Sequence, residues 1–99
     1  VMDLVEGHIK SYEYLINNKP NILTLNLGTG RGTSVNELIS IFQDENKCNF
    51  NYKYADRRKG DVAICYADNS KAKITLNWEP KRSLQQMCRD GWHWYKNNF

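Results

Sequence analysis

The 99-residue sequence has few cysteines and no framework to pair them. Cys48, Cys65 and Cys88 are odd in number and widely spaced, with no C-x-x-C. A disulfide scaffold and a structural zinc site are therefore not expected, and a reducing, cytoplasmic setting follows. The two histidines, His8 and His93, share no metal-binding spacing, so no metal is expected, and both read as packed or surface side chains. No apolar run approaches membrane-spanning length and no signal-peptide pattern opens the chain, so no membrane partner is expected. Charge of one sign is also scarce: 14 Lys and Arg against 11 Asp and Glu give a net charge of +3. That balance, scattered apart from one loop, does not indicate nucleic acid. Internal repeats, low-complexity stretches and flexible linkers are absent.

What is present suits one domain over residues 1–99, with three Trp, six Tyr and three Phe available for a small core. Asp3 to Asn18 carries Leu4, Val5, Ile9, Tyr12, Leu15 and Ile16 at helical period, with Asp3 placed to cap and Pro20 to end the helix. Asn21 to Leu27 alternates like a strand. Gly28-Thr29-Gly30-Arg31-Gly32-Thr33 leads into a second helix, where Ser34 and Glu37 form a capping box. A polar connection is expected from Asp44 to Asn49, and a second strand over Phe50 to Tyr54. Val62 to Ala67 is expected to be extended. Asp68 should cap a short helix over Lys71 to Leu76, closed by Asn77 to Pro80. Ser83 and Gln86 open a last helix with Leu84, Met87, Cys88, Gly91, Trp92 and Tyr95 on one face. Gly91 weakens that helix, so a close packing contact is expected to require it. Two short strands are too few for a self-sufficient sheet. Together with a helical pattern that starts at Val1, this leads to the expectation that the chain is a piece of a larger α/β protein.

The glycine loop does not carry a dinucleotide fingerprint. G-x-G-x-x-G would need glycine where Thr33 stands, and no acidic residue ends a clear second parallel strand about 20 residues on. The phosphate-loop ending G-K-[ST] is absent too. We expect the loop to shape a pocket wall.

Chemistry concentrates in Arg57-Arg58-Lys59-Gly60-Asp61-Val62-Ala63-Ile64-Cys65-Tyr66. Arg presents a planar, permanently charged fork suited to phosphate oxygens, and a carboxylate three residues on can accept from ribose or base groups. The plainer reading is a solvated basic loop around an ordinary Gly-Asp turn.

Several segments in order and spacing decide between these readings. They are Val1-Met2-Asp3-Leu4 with Gly7-His8; Asn26-Leu27-Gly28-Thr29-Gly30-x-Gly32-Thr33-Ser34-Val35; Arg57-Arg58-Lys59-Gly60-Asp61-Val62-Ala63; Cys65-Tyr66-Ala67-Asp68; Ser70-Lys71-Ala72; Leu76-x-Trp78; and Met87-Cys88-Arg89-Asp90 with Trp92-x-Trp94. Together they resemble the C-terminal part of the UDP-glucose 4-epimerase family of extended short-chain dehydrogenase/reductases. The resemblance implies a small α/β substrate-binding domain of an NAD(P)-binding Rossmann-type protein, with the Rossmann domain missing from this chain. It implies an isomerase of galactose metabolism that interconverts UDP-glucose and UDP-galactose by NAD-dependent oxidation and reduction at sugar C4. The family's Y-x-x-x-K base motif is absent, since no Tyr has Lys four positions on. The chain alone is therefore expected to hold no catalytic residue and no NAD.

By the same resemblance, Arg58 contacts the UDP phosphates and Asp61 the uridine ribose, while Val35 lines the uracil pocket. Cys65 stands where side-chain size limits the room around the sugar's C2 substituent. A small residue there implies that UDP-N-acetylhexosamines are also accepted. The partner expected is a UDP-sugar, with a homodimeric parent and the fragment's own oligomeric state open. A UDP-glucuronate or UDP-pentose 4-epimerase fragment and a stand-alone UDP-binding module are the alternatives. A nucleic-acid binder using Arg57, Arg58 and Lys59 with Tyr52 and Tyr54 ranks last.

Overall fold

The computed structural model describes residues 1–19 and 22–99. Pro20 and Asn21, the expected helix stop and strand start, lie outside the described residues. Four helices follow in order: α1 Met2–Asn17, α2 Val35–Asn46, α3 Ser70–Leu76 and α4 Leu84–Asn98. The chain divides into two compact units, each assembled from two separate segments. One comprises Val1–Gly32 with Tyr66–Lys81, the other Thr33–Cys65 with Arg82–Phe99.

The first unit is built on Ala72, Leu76 and Trp78, which are 0%, 9% and 2% exposed. Leu23, Leu25 and Leu27 pack against this cluster with Tyr14, while Ile22, Thr24 and Asn26 are exposed. The period-two alternation read from the sequence is therefore realised in side-chain placement. It is not realised as a strand: no β-strand occurs among the described residues, either here or at Phe50 to Tyr54. A strand exists through the ladder it forms with a neighbour, and among the described residues no backbone hydrogen bond joins either segment to another.

α1 turns an unexpected face inward. Asp3 and Gly7 are buried, whereas Leu4, Val5, Ile9, Tyr12 and Ile16 of the apolar stripe are exposed. The cause is the close approach at Gly7. A Cβ there would stand 2.6 Å from Leu27 Cδ1 and 3.2 Å from Trp78 Nε1, so the absence of a side chain lets the core reach the helix backbone. Asp3 does not cap the helix. Val1 holds the cap position without a side-chain bond, and Asp3, two residues further on, projects sideways. Its Oδ2 accepts from the Lys81 amide at 3.2 Å and its carbonyl accepts from Trp78 Nε1 at 2.9 Å. Lys10 Nζ donates to the Asn77 carbonyl at 2.9 Å, and Asn77 ends α3 in the left-handed conformation with φ 50°.

Asp68 precedes the cap position of α3, which Asn69 occupies without a side-chain bond. The Asp68 carboxylate still accepts from the Ser70 hydroxyl at 2.6 Å and the Ser70 amide at 2.9 Å. Those bonds, the hydroxyl's first, hold its pKa below the ordinary aspartate value.

The second unit pairs α2 with α4. Both caps form as expected: Ser34 Oγ accepts from the Glu37 amide at 3.0 Å, and Ser83 Oγ from the Gln86 amide at 3.2 Å. α2 runs through Asp44 to Asn46, where a polar connection was expected, and ends at Lys47 with φ 50°. Tertiary bonds sustain the extra turn. Glu45 Oε2 meets Arg89 Nη1 at 3.0 Å, and Asn46 Nδ2 donates to the Cys88 carbonyl at 3.3 Å. Phe42 lies edge-on to Phe50 and Trp92 at 6.0 and 5.7 Å between centroids. Trp92 is thus a packing residue. Of the expected α4 face, Cys88 is buried, Leu84, Met87 and Trp92 are half-buried, and Gly91 and Tyr95 are exposed. No close contact requires Gly91, because a Cβ there meets nothing within 4 Å.

Candidate functional site

All four residues singled out by sequence, Val35, Arg58, Asp61 and Cys65, fall within the second unit. A tight turn brings two of them together. Gly60 has φ +92°, a conformation that side chains strongly disfavour, and the Asp61 amide donates to the Arg58 carbonyl at 3.1 Å. This reversal returns the Asp61 carboxylate to the start of the turn. There Oδ2 accepts from the Arg58 amide at 3.2 Å and from Arg58 Nε at 3.1 Å. The Arg58 side chain is 87% exposed and that of Asp61 39%, so both reach solvent. An exposed pair of this kind adds at most about 1 kcal/mol to stability. Its consequence is orientation: the arginine fork is tethered by one edge.

Val35 is the first residue of α2, directly after the Ser34 cap, and is exposed. Cys65 is a free, exposed thiol. No hydrogen bond or ion pair joins Val35 or Cys65 to the Arg58–Asp61 turn among the described residues. One contact near Val35 was not foreseen. Tyr54 Oη donates to Asn36 Oδ1 at 3.4 Å, setting an exposed aromatic beside the first turn of α2. The alternation of Phe50, Tyr52 and Tyr54 carried the available signal, and Tyr52 and Tyr54 do lie ring to ring at 6.0 Å. Sequence gave no sign of the helical partner.

Both histidines are engaged locally. His8 Nδ1 lies 2.7 Å from the Leu4 carbonyl and His93 Nε2 lies 2.9 Å from Asn97 Nδ2. No group of three His, Cys, Asp or Glu suited to a metal ion occurs among the described residues. No described helix is long and apolar enough to cross a membrane.

The glycine loop packs against the segment that opens α3. A Cβ at Gly28 would lie 2.7 Å from Ala67 Cβ, and one at Gly30 would lie 3.5 Å from the Asn69 amide oxygen. Asn69 Nδ2 also donates to the Gly28 carbonyl at 2.9 Å. Ala67 thus fills the space beside Gly28, and Asn69 lies at ordinary contact distance from Gly30.

The Arg58–Asp61 turn thus presents an exposed, tethered guanidinium, and comparison with known proteins places the chain in a family. The chain belongs to the family described as GDP-mannose 4,6 dehydratase, whose model matches residues 4–91. Among its relatives are the UDP-glucose 4-epimerases of Bacillus subtilis, 46% identical over 98 residues, and of Pasteurella multocida, 44% identical over 98 residues. Each alignment takes in 99% of this chain and 29% of the relative. The fold matches the crystal structure of UDP-glucose 4-epimerase from Bifidobacterium longum in complex with NAD+ and UDP. The TM-score is 0.87 and the sequence identity 34%, over 97% of this chain and 28% of that one. The chain thus spans under a third of the length of the relatives it matches. The α/β class read from the sequence, part of a Rossmann-type short-chain dehydrogenase/reductase, is borne out, as is the resemblance to UDP-glucose 4-epimerases.

Proposed function

We propose that this chain is the UDP-sugar-binding, C-terminal part of a cytoplasmic 4-epimerase that interconverts UDP-glucose and UDP-galactose. The observation that carries this is the Arg58–Asp61 turn, an exposed guanidinium tethered at one edge, in a chain 46% identical over 98 residues to a UDP-glucose 4-epimerase. In this reading the terminal nitrogens of Arg58 bind the diphosphate and Asp61 accepts from the ribose diol. Val35 offers apolar surface to uracil, and Cys65 leaves room beside the sugar for an N-acetyl group. NAD, which exchanges a hydride with sugar C4, is held by residues outside this chain. The lack of a Tyr-x-x-x-Lys pair supports a chain that is inactive alone.

The test is a titration of the isotope-labelled chain with UDP, UDP-glucose and a short oligonucleotide. Weak, saturable shifts centred on Arg58 and Asp61 are expected with the first two. Salt-sensitive oligonucleotide binding without a UDP response would overturn the reading. For Cys65, a full-length protein carrying these residues is expected to turn over UDP-N-acetylglucosamine as well as UDP-glucose. Absence of turnover with the N-acetylated sugar removes that assignment.

A further inference from the structure

We infer that Asp61 is a positioning residue for Arg58, so that recognition of a diphosphate depends on the carboxylate even when the ligand has no ribose. The inference rests on the nucleotide reading of this loop and goes beyond it. If Asp61 served the ribose alone, its removal would not weaken ligands that lack one.

The geometry assigns it a second task. A single oxygen, Oδ2, accepts from both the amide and Nε of Arg58, at 3.2 and 3.1 Å. Oδ1 makes no hydrogen bond among the described residues, and neither do the two terminal nitrogens of Arg58. The guanidinium is therefore held by its Nε edge while its Nη1–Nη2 edge, the one suited to two parallel bonds with a phosphate, stays open. One carboxylate can thus orient the fork through Oδ2 and accept from a vicinal diol through Oδ1. The turn that permits this is short and closed by the Asp61 amide on the Arg58 carbonyl at 3.1 Å. Among the described residues Asp61 alone holds the Arg58 side chain, which is 87% exposed.

The sign of the effect makes the inference testable. Coulomb's law alone says that removing a negative charge beside an anion site strengthens anion binding. Loss of positioning says the reverse, because the fork must then be ordered during binding. The probes are inorganic pyrophosphate and UDP, titrated into the isotope-labelled 99-residue chain and into Asp61→Asn, Arg58→Lys and the double variant. Physiological ionic strength screens distant charges. In unliganded Asp61→Asn the Arg58 Nε–H resonance is expected to move to the position of a free guanidinium, while amides of α2 and α4 stay in place. Pyrophosphate affinity is expected to fall about threefold. In the Arg58→Lys background the same substitution is expected not to weaken pyrophosphate binding, because lysine has no Nε–H to hold and only the loss of negative charge remains.

Pyrophosphate affinity that is unchanged or tighter in Asp61→Asn, with UDP weakened, confines Asp61 to the ribose; it overturns the inference and leaves the nucleotide reading standing. A UDP response without any pyrophosphate response overturns it too. Absence of both responses in the unsubstituted chain overturns the inference together with the reading beneath it.

Discussion

Single side chains behave differently in ways their type does not reveal. Gly7 and Gly91 are both helical glycines. A Cβ at Gly91 meets nothing within 4 Å, whereas one at Gly7 would meet Leu27 at 2.6 Å and Trp78 at 3.2 Å. Gly91→Ala is therefore expected to stabilise the chain by up to about 1 kcal/mol, the helix-propensity difference. Gly7→Ala gains the same propensity but overpacks the buried cluster at a cost of about 1–3 kcal/mol, so a net loss is expected. Paired thermal melts check both, and equal shifts would contradict the close approach at Gly7. The three thiols should likewise separate. Burial, with Glu45 nearby as the lesser cause, raises the Cys88 pKa, so its reactive thiolate is scarce at neutral pH. Cys65 is exposed and Cys48 half-buried. Alkylation followed by mass spectrometry is expected to label Cys65 first and Cys88 last.

Among the elements, the starts of α2 and α4 were legible because serine capping is local, whereas Asp3 and Asp68 do not hold the cap positions of α1 and α3. Ser34 and Ser83 each accept an amide from three residues on, at 3.0 and 3.2 Å. Ser34→Ala and Ser83→Ala are each expected to cost about 1 kcal/mol. Hydrogen exchange should quicken at the Glu37 and Gln86 amides respectively, and unchanged protection there would count against the caps. Helix ends were less legible. Asp44 to Asn46 looked like a polar connection, yet Glu45 and Asn46 find partners in Arg89 and Cys88, 44 and 42 residues away. Strands were the least legible. Leu23, Leu25 and Leu27 alternate inward as their pattern says, but a pattern cannot provide the neighbouring backbone that a ladder requires.

The molecule as a whole buries little apolar surface. Its buried hydrophobic residues among those described are Ala72, Leu76, Trp78 and Cys88, while Val5, Ile9, Tyr12, Ile16, Val62, Ile64, Trp94 and Phe99 are among many exposed. Denaturant sensitivity scales with surface newly exposed on unfolding. The urea m-value is therefore expected at or below about 1 kcal/mol/M, the low end for small proteins. A steep transition in equilibrium urea unfolding, followed by tryptophan fluorescence, would show that more is buried than this structure describes. Exposed apolar stripes of this extent are uncommon on free-standing soluble domains. They accord with a chain that spans 28–29% of the relatives it matches.

Local chemistry in the amino-acid order was enough to set the Ser34 and Ser83 caps, the alternating face of residues 23–27 and the Gly60–Asp61 turn, because each depends on groups a few residues apart. Sequence order also carried the family resemblance, through motifs spread along the chain. Three-dimensional packing settled the rest. It turned Asp3 from a cap into a tether for Trp78 and Lys81, since those partners lie 75 and 78 residues away. It put the Asp3 and Gly7 side of α1 inward, where the absence of a side chain at Gly7 lets Leu27 and Trp78 approach. It also set Ala67 and Asn69 against the glycine loop. Such contacts join residues distant in the chain, and no periodicity or spacing encodes which of them will meet.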